Sequence, residues 1–330
     1  MDSTNLVVFT SHDLRACTNN FNEKNLISLT QFGRLYRGQI QKPRLTGIQT
    51  QYVSVKIWDP KLDCIASKYD DEYFMIKEEV KFFTNPRMNG NPNLVKLIAC
   101  CWEREIQGLV YDLNPLDTLH NLIVKDELNW LQRMNVIHEL ARLLEFLHCQ
   151  ENQPLVLNIS ASHILLDTDY MPKLFDSFQP SEMKMQKELM PMSTGYLDPY
   201  FSLRGSEWDR SCEVFSFGVI LLELITKRIS ILNIEKRENN PNSVLDGLLH
   251  IWAKKEYKPS CCLVHSSLQE NWDYYAEDGV AVTELAMQCI EFFPVNRPSM
   301  NQILQCLENL LVCNRLADKR PAKRGKKFLL

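Results

Sequence analysis

Between Pro154 and Asp167 the chain reads PLVLNISASHILLD. Two apolar runs, LVL and ILL, flank Asn158, Ser160, Ser162 and His163, the pattern of two short buried strands presenting a loop of the kind that carries catalytic groups. The loop supplies amide, hydroxyl and imidazole groups but no carboxylate, lysine or cysteine. Hydrogen bonding and one titratable ring are available there, and a general-base carboxylate is not. Metal chemistry is no better served. The eleven cysteines include the doublets Cys100–Cys101 and Cys261–Cys262 but no CxxC pair, so zinc is not expected. Their odd number and irregular spacing, with no signal peptide, predict reduced thiols in the cytosol.

The elements that must position this loop fall into two groups. LISLTQFGRLYRGQI and YVSVKIW are rich in β-branched and aromatic residues and predict strands, as do NLVKLIACCWE and QGLVYDL. Between them DDEYFMIKEEVKFF predicts an amphipathic helix with Tyr73, Phe74, Ile76, Val80 and Phe83 on its apolar face. From about residue 114 the pattern becomes helical. LNWLQRMNVIHELARLLEFLH carries Val136, Ile137, Leu140, Leu143, Leu144 and Leu147 at helical spacing, and EVFSFGVILLELIT is apolar nearly all round, as a central helix should be. VAVTELAMQCIEFF and MNQILQCLENLLV predict two more helices. The fold class expected is α+β and bilobal: an extension with a helix over 1–25, a β-rich lobe over 26–113, a mainly helical lobe over 114–313, and a basic, disordered tail over 314–330.

Composition narrows the function classes. At 330 residues, 45% hydrophobic and 24% charged, the chain has an ordinary globular balance, and a net charge of −4 gives no reason to expect nucleic acid as a partner. The longest apolar stretch, FSFGVILLELI, is interrupted by Glu223 and too short to span a bilayer. Asp2 follows Met1, so the glycine needed for N-myristoylation is absent. Eleven glycines are few where about 7% is typical, which matters for any phosphate-cradling loop.

Several segments, in order from about residue 9 to residue 312, together resemble a protein kinase of the plant receptor-like cytoplasmic family. FTSHDLRACTNNF resembles the helix preceding the kinase fold in that family, and VSVK the strand bearing the ATP-anchoring lysine. NPNLVKLIACC and LVYDL resemble the next strands and the hinge, and HILLDTDYMPKLFD the strand pair leading to the metal-binding motif. STGYLDPYF, EVFSFGVILLELIT and NRPSM resemble the end of the activation segment and the large-lobe helices. Each motif alone is weak; their joint order is specific.

The resemblance makes the departures readable. The phosphate loop G-x-G-x-x-G falls on Ser28, Thr30 and Gly33, so only the last glycine remains, and side chains at the first two positions should hold the loop off a nucleotide. A slower kinase would tolerate some of this. The pattern H-R-D-x-K-x-x-N falls on Val156, Leu157, Asn158, Ser160 and His163. Asn158 takes the place of the catalytic aspartate, and an amide is no proton acceptor at neutral pH; general-base assistance is worth about 10²–10⁴-fold. Ser160 replaces the charge-neutralising lysine. His163 replaces a magnesium-ligating asparagine, although hard Mg²⁺ prefers oxygen. The motif D-F-G becomes Asp176-Ser177-Phe178, keeping the carboxylate and losing its neighbours. Val156 and Ser177 remove two side chains of the stack coupling the lobes, and Leu157 removes the arginine that docks a phosphorylated activation loop. The A-P-E glutamate becomes Tyr200, leaving Arg297 of NRPSM in need of another partner or nearer solvent. Glu213 stands for the aspartate anchoring the catalytic loop.

The resemblance implies a remnant nucleotide site of Lys56, Glu79 (Glu78 less well placed), Asp176, Gly33 and a gatekeeper Tyr111. The plainer readings are that Lys56–Glu79 only holds a helix and that Tyr111 is a core tyrosine. No catalytic residue, obligate cofactor or metal is expected, with weak ATP binding as the alternative. The implied role is a catalytically inactive adaptor of the type that partners NLR immune receptors, bridging the receptor to a sister receptor-like cytoplasmic kinase or a pathogen effector. Two rivals are a weakly active or unconventional serine/threonine kinase, and a scaffold contacting membranes or nucleic acid through KRPAKRGKK. Cytoplasmic placement is expected, with peripheral contact at the plasma membrane as a variant. Ser193 and Thr194 are candidate modification sites in an otherwise ordinary polar loop.

Overall fold

The computed structural model of the chain describes residues 6–30, 32–44, 47–59, 73–88, 90–150, 159–176, 195–204, 209–230 and 247–312. The β-like runs become strands and fold back on one another. β2 (Leu26–Thr30), β3 (Gly33–Arg44) and β4 (Gly47–Trp58) are consecutive antiparallel neighbours. β5 (Leu97–Trp102) and β6 (Gln107–Tyr111) pair with each other, and β6 pairs with β4. β1 (Val7–Val8) adds a parallel edge strand on β5, giving the order β1-β5-β6-β4-β3-β2. The N-terminal extension is therefore built into the small lobe. Its helix α1 (Ser11–Cys17) is closed by a capping box between Thr10 and Asp13 and buries Leu14 completely.

Side chains alternate across a strand, and β4 shows the consequence. Val53 and Val55 face α1 and join Leu14 and Val110 in one core. Trp58 joins the other core with Ile76 and Phe83 of α2 (Phe74–Thr84), and Lys56 shares the face of Trp58. The predicted apolar face of α2 is present in part: Ile76 and Phe83 are buried, while Tyr73, Phe74 and Val80 are half-buried.

In the large lobe β7 (Asp117–Thr118), β8 (Ile164–Leu166) and β9 (Pro172–Leu174) form a small antiparallel sheet beside α3 (Leu119–Val124) and α4 (Trp130–His148). The remaining helices are α5 (Pro199–Arg204), α6 (Arg210–Thr226), α7 (Leu249–Glu256), α8 (Ser266–Gln269), α9 (Ala276–Cys289) and α10 (Met300–Glu308). Polar caps start three of the helices: Asn129 with Gln132 for α4, Asp209 for α6, Ser299 with Gln302 for α10. Every residue of α6 from Cys212 to Thr226 is buried, as its all-round apolarity predicts. Gly218 lets α9 approach: a Cβ there would lie 2.6 Å from Cβ of Cys289. One backbone and one side-chain hydrogen bond link the lobes, since Leu174 N–H donates to the Asn93 carbonyl at 2.8 Å and Asn93 Nδ2 donates to the Pro172 carbonyl at 3.1 Å. Among the described residues no helix is long and apolar enough to cross a membrane, and the described cysteines are all free thiols.

Candidate functional site

Four elements build the site around the ammonium of Lys56. β4 carries it on the face opposite Val53 and Val55, with no exposed surface. α2 brings Glu79, whose Oε2 lies 2.6 Å from Nζ. The chain leaving β9 brings Asp176, whose carboxylate makes a very short contact with the same Nζ. Both carboxylates are buried, at 6% and 3% exposure. The end of β6 adds Tyr111, fully buried, whose hydroxyl donates to the second oxygen of Glu79. Glu79, not Glu78, is thus the partner; Glu78 pairs with Lys81 on the outer face. Trp58, two residues after Lys56, places its ring centroid 3.9 Å from Nζ.

Burial would lower the pKa of Lys56, but the Asp176 and Glu79 carboxylates outweigh it and hold the ammonium above the ordinary lysine range. Burial drives the Tyr111 hydroxyl well above its usual pKa, and the charge of Glu79 adds to this, so it stays a donor. Asp176 adopts φ 55°, the left-handed region that costs a residue other than glycine about 1 kcal/mol or more.

The opening loop meets this cluster from below. The turn Ala161–His163 places the Ser160 hydroxyl 3.2 Å from Nδ1 of His163, and Nε2 of His163 lies 3.7 Å from Oδ2 of Asp176. The order serine, histidine, aspartate resembles that of a hydrolytic triad. Ser160 has no exposed surface, however, so no substrate carbonyl reaches its hydroxyl. Asn158, Val156, Leu157, Ser177, Phe178, Ser193, Thr194 and the basic tail lie outside the described residues.

Gly33 has a local explanation. A Cβ on it would lie 1.9 Å from the Ile57 carbonyl oxygen, so the residue is needed where β3 crosses closest to β4. Thr30, at a lost glycine position, is buried with its hydroxyl unpartnered, and Phe32 is 1% exposed, turned into the core beside Trp58. Strand β2 rests against the 161–163 turn.

Two further expectations resolve. Arg297 is not near solvent: it forms a two-pronged pair with Asp198 at 2.7 and 2.8 Å, with both side chains fully buried. Asp198 precedes Tyr200 by two residues and takes over the role left open there. Glu213 pairs with Nε2 of His148, the last residue of α4, at 2.7 Å. Sequence reasoning missed Trp58 and Asp198. Trp58 was detectable, because the two-residue strand period puts it beside Lys56.

The sequence model of the protein tyrosine and serine/threonine kinase family matches residues 21–307. The chain is 30% identical over 322 residues to the serine/threonine-protein kinase PBL13 of Arabidopsis thaliana, covering 93% of this chain and 60% of that protein. It is 32% identical to an EPD1-interacting receptor-like cytoplasmic serine/threonine-protein kinase of Nicotiana benthamiana, with coverages of 92% and 64%. Against the serine/threonine-protein kinase BIK1 of Arabidopsis thaliana the identity is 31%, with coverages of 94% and 78%. The chain therefore spans less than two thirds of the first two relatives and more of the third. With its β-sheet lobe, its helical lobe and the lysine–glutamate pair between β4 and α2, the chain belongs to the protein tyrosine and serine/threonine kinase family, among relatives named as plant serine/threonine and receptor-like cytoplasmic kinases.

Proposed function

We propose that this chain is a catalytically inactive kinase homologue that acts as an adaptor in plant innate immune signalling, bridging an NLR receptor and an effector-modified sister kinase or the effector itself. The observation that carries the reading is the loop entering β8. It sets Ser160 and His163 against Asp176 where phosphoryl transfer needs a lysine and an oxygen ligand. With Asn158 in the position of the general base, the three groups that the reaction requires are missing together. What remains is a scaffold with an intact core, suited to presenting surface. No cofactor is needed for that role.

A second reading, a weakly active serine/threonine kinase with residual ATP binding, draws on the names of the relatives and on the preserved Lys56–Glu79 pair. Protein phosphotransfer by the purified full chain with Mg²⁺ or Mn²⁺ separates the two. The expected result is label transfer no higher than in Lys56→Ala; robust transfer that disappears in Lys56→Ala establishes the second reading instead. Affinity capture of the tagged chain from plant tissue tests the partners. An NLR among the bound proteins is expected, and its absence removes the receptor from the proposal.

A further inference from the structure

We infer that Trp58 is the residue that closes the phosphate side of Lys56 to nucleoside triphosphates. The inference rests on the proposed reading of the chain as a kinase homologue without phosphotransfer, and it names the group that excludes the nucleotide.

An ammonium has three N–H donors and no more. On Lys56 the Glu79 and Asp176 carboxylates each face one, and the Trp58 ring, its centroid 3.9 Å from Nζ, lies against the same ammonium. Lys56 has no exposed surface and Trp58 only 5%. A phosphate oxygen reaching Nζ must displace one of the three. The carboxylates are the wrong ones to move, because an expelled or unpaired buried carboxylate is strongly unfavourable. The aromatic ring is the weakest of the three ligands and the bulkiest, so the approach of a triphosphate is decided there.

Three observations fit a side chain held in place for this contact. The indole Nε1 is buried without a hydrogen-bond partner, so Trp58 is not fixed by its polar atom, and an unpaired buried N–H is unfavourable. Its face on the ammonium is the compensating interaction. Phe32 at the tip between β2 and β3 is turned inward beside it, and the Phe32 carbonyl accepts from Asp59 N–H at 2.7 Å, next to Trp58 in sequence. Strand β2 rests on the 161–163 turn, so the hairpin is lowered over the cluster. The two-residue strand period makes the placement obligatory: any side chain at position 58 lies on the Lys56 face of β4.

The test uses the full chain and ATP as the probe, with and without Mg²⁺, read by thermal shift and by titration of a fluorescent ATP analogue. Wild type is expected to show no shift at millimolar ATP. Trp58→Leu and Trp58→Val, either of which suffices if the other fails to fold, are expected to bind at least tenfold more tightly than wild type. Trp58→Phe keeps an aromatic face without the unpaired N–H and is expected to exclude ATP as wild type does. The inference is overturned if wild type already binds ATP in the micromolar range, if neither aliphatic variant gains affinity while remaining folded, or if Trp58→Phe gains as much as Trp58→Leu. Phosphotransfer by an ATP-binding Trp58→Leu variant would support the closure and overturn the proposed lack of catalysis, so the two failures are told apart.

Discussion

Single side chains carry most of the electrostatic decisions in this molecule. The Lys56 cluster holds one cation against two buried carboxylates and an aromatic face, which keeps the lysine charged where burial alone would neutralise it. A second buried acid behaves in the opposite way. Among the described residues no cation pairs with Glu223 in α6: its oxygens each lie 2.8 Å from the Tyr196 hydroxyl, and Ser230 N–H donates to Oε1 at 2.9 Å. Burial pushes its carboxyl up to about 8 despite those hydrogen bonds. The folded protein therefore binds a proton that the unfolded chain, with an ordinary carboxyl, has already released at neutral pH. Stability from this group is fully present below the ordinary carboxyl pKa and is lost as pH rises through about 8. Replacing Glu223 by Gln, which keeps an acceptor for Tyr196, is expected to flatten the fall in Tm between about pH 5 and 8.5. Parallel falls in wild type and variant would show that Glu223 ionises without cost.

At the scale of elements, Arg297 shows how a lost side chain is compensated by a neighbour. It lies just beyond the last turn after α9, and all five of its N–H donors are used. Nε donates to the Glu291 carbonyl, and the terminal nitrogens donate to Asp198 and to the carbonyls of Ser211 and Phe292. The guanidinium thus ties the segment before α5, the start of α6 and the end of α9 together. Position 200, released from pairing, carries Tyr200 in edge contacts with Phe292 at 5.6 Å and Phe293 at 6.3 Å. Removing one partner of a buried pair leaves an uncompensated charge, so Asp198→Ala is expected to destabilise the fold by about 3–5 kcal/mol. The midpoint of urea unfolding reads this directly. A change below about 1 kcal/mol would mean that the carbonyls alone satisfy Arg297.

For the whole molecule the question is what keeps two lobes in one arrangement. Lys56 belongs to the small lobe and Asp176 to the chain leaving β9, so their ion pair spans the interface. Arg37 of β3 reaches the carbonyls of Pro115 and Leu116 in the connecting segment, and Asn93 bonds to β9. These polar, directional links are added to an apolar core that runs through both lobes, and being directional they make the closure sensitive to single charges. Asp176→Asn removes half of the negative charge on Lys56. Its expected effect is faster amide hydrogen exchange in β2 and β3, with α6 unchanged, because only the contact across the lobes is weakened. Equal acceleration in α6 would mean that the substitution unfolds the protein generally.

Much of this was legible in the residue order. Strand and helix types and the central helix α6 follow from periodicity, which acts locally along the chain, while Lys56, Glu79, Tyr111 and Asp176 are implied by the resemblance of their motifs to the kinase family. The absence of an acid at position 158, of a lysine at 160 and of an asparagine at 163 is also a property of the sequence alone. Tertiary structure decided which charges meet. It gave Arg297 to Asp198, joined Glu213 to His148, turned Gly33 into a crossing point for β3 and β4, and laid the ring of Trp58 on Lys56. Those outcomes depend on distances between segments far apart in the chain, where a shift of an ångström exchanges one partner for another, and no local pattern encodes that distance.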